Sequence, residues 1–153
     1  MKKRKGFVQL AVLHLLQEES MHGYQIMKEL EDRSDGLYNA SAGTIYPALQ
    51  DLLDEGLIIL QEDSDKKVYR INLNGENRLN EYHHLEEFDF WLEWKERQFW
   101  RNSKEAVHVK KAIKQWEFEL RKTIKHIRSE PARTVQLVAL IEETTERLKK
   151  EFS

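Results

Sequence analysis

Residues 41–58 read SAGTIYPALQDLLDEGLI, and their apolar positions change period part-way along. Ile45, Leu49, Leu52 and Leu53 recur at helical spacing and make one buried stripe, which leaves Tyr46, Gln50 and Asp54 pointing away from the core. Pro47 has no amide hydrogen and is tolerated in a first helical turn, so the helix is expected to start near Thr44, with Thr44 as its N-cap. Gly56 is placed to end it with a left-handed cap, and the chain then runs into a strand.

Working outward, residues 6–17 are apolar nearly all round. Leu10, Leu13 and Leu16 lie on one side and Val8, Val12 and Leu15 on another, so this helix is expected to be covered on two faces. Residues 22–33 put Gly23, Ile26, Met27 and Leu30 on one stripe before Ser34, Asp35 and Gly36 stop them with turn chemistry. Residues 57–61 and 67–73 read as a hairpin, with Tyr69, Ile71 and Leu73 alternating onto one face and a polar turn at 63–66. The expected order is three helices and a hairpin.

The stretch 41–58 resembles the reading helix and wing of the PadR family of winged helix-turn-helix transcriptional regulators. Two further fragments strengthen the resemblance: His22-Gly23-Tyr24 upstream, and Tyr69-Arg70-Ile71-Asn72-Leu73-Asn74-Gly75, which is similar to the family's end of wing and start of the next helix. That pattern usually has Thr where Asn72 stands, and Asn caps helices as well as Thr does. The resemblance covers roughly residues 7–80. It implies a mainly α fold with a small β-hairpin wing, divided into a winged helix-turn-helix DNA-binding domain over residues 1–75 and a helical dimerisation and effector region over 76–153. It also implies a homodimeric repressor of double-stranded DNA at a palindromic operator, and a phosphate contact for the Tyr24 hydroxyl.

The residues themselves indicate where such contacts lie. Hydroxyls and amides at the start of a reading helix take phosphate oxygens while side chains on its outer face meet base edges, which points to Ser41, Thr44, Tyr46 and Gln50. Gln pairs with adenine N6 and N7, making Gln50 the best candidate for base readout. Lys3, Arg4 and Lys5, with Lys2, form a basic arm, and Lys66 and Lys67 lie on the wing with Tyr69 close behind them. Against these, Glu62, Asp63 and Asp65 crowd the wing turn, and residues 1–80 hold ten Lys and Arg against thirteen Asp and Glu. Position, not bulk charge, carries the argument. The alternative from another class is a winged-helix interaction module that docks a protein partner and leaves DNA alone.

Beyond Gly75 the sequence reads as helix to its end. Residues 76–101 carry Leu85, Phe88, Trp91, Leu92 and Phe99 on a broad apolar arc, with Phe90 and Trp94 opposite, as expected of a helix with two neighbours. Val109, Ile113, Trp116, Leu120, Ile124 and Ile127 form a second seam, and Val135, Val138, Ile141, Leu148 and Phe152 a third; the two are expected to pair as an antiparallel hairpin. Trp91, Trp94, Phe99, Trp100 and Trp116 make this half the expected dimer region, and the first four are a candidate site for a small aromatic or lipophilic effector.

Composition excludes other classes. The 153 residues contain no cysteine, so disulfides, thiolate metal sites and cysteine nucleophiles are ruled out. His83, His84 and Glu87 fall short of the four ligands that a closed site needs, and no cofactor is expected. No phosphate loop, nucleophile elbow or HExxH motif points to an enzyme. With no apolar run of about 18 residues, a cytoplasmic protein without membrane contact is expected.

Overall fold

The computed structural model describes residues 6–63, 65–83 and 89–153, apart from the side chains of Asp63 and His83. In chain order the elements are α1 (Phe7–Glu18), β1 (Met21–His22), α2 (Gly23–Asp32), α3 (Ala42–Asp54), β2 (Ile58–Asp63), β3 (Lys66–Ile71), α4 (Leu73–His83), α5 (Phe90–Arg101), α6 (Lys104–Ile127), a 3-10 turn (Pro131–Arg133) and α7 (Thr134–Phe152). The fold is mainly α with a small antiparallel wing, and it divides into two compact units, the second being Lys104–Ser153. The division in packing thus falls after α5 and not at residue 75, because α4 and α5 bury their apolar faces on the winged portion.

Helix α1 is the centre of the first unit. Ala11, Val12, Leu13, Leu15 and Leu16 are all at most 2% exposed, and the helix touches α2, α3, α4 and β3, so the two-faced covering read from its sequence is present. Each of the Val and Leu side chains contributes roughly 1.5–3 kcal/mol by leaving water. Around α1 the sheet runs in the order β1-β3-β2, with Met21 opposite Tyr69 and Ile58 opposite Ile71. The two-residue strand β1 is too short to leave a periodic signal, and it ties the start of α2 to the wing.

The joints follow the expected chemistry with two corrections. Gly56 takes φ 70°, its amide donates to Leu53 O and that of Leu57 to Leu52 O, which is the left-handed helix stop. Asn72 caps α4: its Oδ1 accepts from Gly75 N at 2.9 Å while its Nδ2 donates to Gly56 O at 2.7 Å. Leu73, however, opens α4 and is 69% exposed instead of facing inward from the strand. The single helix expected over 76–101 is two, with Asp89 capping α5 by accepting from the amides of Trp91 and Leu92.

The inner face of α5 is core. Trp94 is fully buried, donates Nε1–H to Leu30 O at 3.1 Å, and lies between the rings of Phe7 and Tyr38. Trp91 is half-buried, donates to Glu18 and carries the Arg33 guanidinium 4.2 Å above its ring.

In the second unit no residue of α6 or α7 is buried. The close antiparallel hairpin expected of them does not form. They share a groove near their turn, lined by Thr123, Ile127, Leu137 and Leu140, while both apolar seams stay exposed beyond it.

Candidate nucleic-acid interface

The N-terminus of α2 is built by His22 and Gly23. His22 Nδ1 accepts from Gln25 N and Gln25 Oε1 accepts from His22 N, a reciprocal cap that leaves the imidazole structural. Gly23 is buried beside Tyr46: a Cβ there would stand 2.8 Å from the Tyr46 hydroxyl oxygen and 2.9 Å from Cε1 and Cζ. The glycine therefore seats the tyrosine ring of α3 against the start of α2. Tyr24, next along, is 68% exposed, so its hydroxyl is available.

Helix α3 begins at Ala42 with Ser41 at the N-cap position, three residues before the expected cap, and Thr44 lies inside its first turn. Pro47 consequently sits in the second turn. It is tolerated because the one carbonyl it deprives of an amide, that of Gly43, belongs to an exposed residue and can bond to water. Ile45, Ala48, Leu49 and Leu52 face the core, and Gly43, Pro47, Gln50 and Asp54 make the outward stripe, with Tyr46 on its flank. Gln50 is exposed, and its Nε2 donates to Asp54 Oδ1 at 2.8 Å.

Lys66 and Lys67 open β3, both exposed, with Asp65 beside them. Tyr69 corrects the sequence reading: at 5% exposed its ring belongs to the core, and burial together with the nearby Tyr46 pushes its phenol pKa up. It supports the surface from beneath. A cleft of about 520 Å³ joins these parts, lined by His22, Tyr24, Tyr46, Lys66, Lys67 and Tyr69, with Gly23 and Asp65 completing it. Five of the predicted residues thus come together at the start of α2, the flank of α3 and the wing.

Ser41 and Thr44 lie apart from that cleft. They hydrogen-bond each other at 3.1 Å, and Thr44 borders a second cleft toward α5. Lys3, Arg4, Lys5, Leu85 and Phe88 fall outside the described residues. The aromatic effector site is not assembled as expected, because Trp94 and Trp91 turn into their own unit. Leu92, Phe99 and Trp100 on α5 and Trp116 on α6 are all more than half exposed. Among the described residues no three His, Asp or Glu side chains gather as a metal would need.

Residues 12–81 match the model of the transcriptional regulator PadR-like family. Just under half of the chain is thus similar to that family. Its members are regulators that act on DNA, not enzymes. The PadR-like region is also 35% identical over 77 residues to the transcriptional regulator YqjI of Escherichia coli; that match covers 50% of this chain and 37% of the E. coli protein, so the chain spans little more than a third of its curated relative. Among solved structures, a transcriptional regulator from Clostridium thermocellum is 29% identical, with 50% of this chain and 77% of that one covered and a TM-score of 0.48. Bacillus subtilis PadR in complex with operator DNA is 24% identical, with 57% and 51% covered and a TM-score of 0.48. The PadR-like match ends within α4, leaving α5, α6 and α7 to be read from their own chemistry. No described helix is long and apolar enough to cross a membrane.

Proposed function

We propose that the chain is a homodimeric, DNA-binding repressor of the cytoplasm that holds a palindromic operator through the face formed by α2, α3 and the wing. The observation that carries this is the cleft shared by Tyr24, Tyr46, Lys66 and Lys67. A backbone phosphate placed there meets two tyrosine hydroxyls and two ammonium groups beside the N-terminus of α2, where free amides and the helix dipole favour an anion. The small outward residues Gly43 and Pro47 let α3 approach the floor of the major groove closely, and Gln50 then reads a base by exchanging its bond to Asp54 for one to adenine.

The dimer reading rests on the second unit. Trp116, Val135 and Phe152 are 54%, 76% and 81% exposed on helices that bury nothing within the chain, and a second copy is the most economical cover for them. Two copies related by a two-fold axis present two α3 helices to half-sites about one DNA turn, roughly 34 Å, apart. Selection of bound fragments from genomic DNA tests both statements. Recovery of a palindromic sequence with that spacing is expected, and recovery of unrelated fragments, or of none, counts against it.

A further inference from the structure

The PadR-like surface leaves unused a second cleft of about 300 Å³, between the first turn of α3, the segment 37–39 and the end of α5. Its floor carries Gln98, only 5% exposed. Phe90, Trp94 and Gln98 recur every four residues along the buried stripe of α5, so a carboxamide occupies a place where an apolar side chain is the norm. Among the described residues that carboxamide has no hydrogen-bond partner, and a buried polar group left so is costly.

The surrounding groups fix the sign of what it awaits. Arg101 lines the same cleft and forms no ion pair among the described residues. Tyr38 contributes a phenol, a donor at neutral pH that burial pushes further from ionising, near enough to Arg101 to feel its charge. Thr44 brings in the first turn of α3, where Ser41 Oγ donates to Thr44 Oγ1 and so leaves the leading amides without a side-chain acceptor. No acidic side chain lines the cleft. Donors and positive charge converge on a space with ample room for a phosphate or carboxylate and its hydration water.

We propose that this cleft binds an oxyanion, phosphate or carboxylate, with the Gln98 amide and the Arg101 guanidinium as its principal donors. The oxyanion is either a free small molecule or a DNA backbone phosphate, and the two sources separate in one experiment. In the ¹⁵N-labelled full chain, the Gln98 side-chain amide is identified as the signal missing from Gln98→Leu. That variant is expected to be at least as stable as the parent, because it removes an unpaired buried dipole. Inorganic phosphate is titrated against chloride at matched ionic strength, and a duplex is titrated separately in chloride. A saturable shift of the Gln98 signal with phosphate, weakened about tenfold in Arg101→Gln, supports a free-anion site. A shift with duplex alone, equally sensitive to Arg101→Gln, supports a backbone phosphate in the same site. No shift with either, or a shift indifferent to Arg101→Gln, overturns the proposal. The phosphate arm needs no DNA, so it stands or falls apart from the repressor reading.

Discussion

Replacing Gly23 by alanine separates stability from DNA binding. The added Cβ meets the far end of the Tyr46 ring at 2.8–2.9 Å, closer than such atoms approach, and the ring belongs to a side chain already 46% exposed. It yields by swinging toward solvent, which costs little. Alanine at the start of α2 recovers about 0.5–1 kcal/mol of the backbone entropy that glycine loses, so the net change in stability is expected to stay within about 1 kcal/mol. Binding responds differently. A hydroxyl that leaves a phosphate oxygen forfeits about 1.5–3 kcal/mol, or roughly ten- to hundredfold in affinity. Fluorescence anisotropy with a labelled operator duplex reads the affinity, and urea denaturation reads the stability. Because the effect runs through Tyr46, Gly23→Ala is expected to add nothing in a Tyr46→Ala background. Additive losses in that double-mutant cycle, or a stability loss above about 3 kcal/mol, would show that Gly23 does not act through a yielding Tyr46 ring.

The same substitution at Gly75 behaves in the opposite way, since its Cβ would fall 2.3 Å from the Leu57 carbonyl oxygen and 2.6 Å from Ile71 Cγ1, a backbone atom and a core atom that cannot step aside. Gly75→Ala is expected to cost about 2 kcal/mol or more after the gain in helix propensity, and to lower Tm by roughly 10 °C; an unchanged Tm in calorimetry contradicts this. Exchanging both Lys66 and Lys67 for alanine is expected to weaken binding to every duplex alike and to flatten the slope of log affinity against log salt by about 2; an unchanged slope removes the wing from the interface. The bidentate bond from Arg33, at 2.6 and 2.7 Å, holds the Glu18 carboxyl below its ordinary pKa of 4.5. A depressed carboxylate stabilises above the unfolded value and loses that contribution as pH falls through the folded one. Both side chains are partly exposed, so the term stays below about 1 kcal/mol. The Tm gap between parent and Glu18→Gln is therefore expected at pH 7 and to narrow as pH falls below the ordinary carboxylate range, and a gap unchanged with pH would show that charge is not its cause.

The winged half was legible because its elements carry strong local signals. The stripe Ile45, Leu49, Leu52, the left-handed Gly56 and the cap at Asn72 each name a helix or its end, and the structure keeps all of them. What escaped depends on partners distant in sequence. Pro47 misplaced the start of α3 because its cost depends on whether Gly43 meets water, which periodicity does not record. The alternation of Tyr69 with Ile71 already placed that ring inward, whereas the pairing of β1 with β3 follows from the sheet as assembled. Trp94 read as a dimer aromatic because its partners, Leu30 and Tyr38, lie more than fifty residues upstream. Gln98 drew no expectation from sequence, because its burial beside Phe90 and Trp94 and its lack of a partner are facts of three dimensions.

Whether the α2, α3 and wing face holds DNA is decided by anisotropy of a labelled duplex carrying the protein's own upstream region beside a scrambled duplex, each at two salt concentrations. Tight binding to the first, weaker binding to the second, and a steep loss of both with salt are expected. Equal, weak and salt-insensitive association with both duplexes would contradict DNA binding by that face.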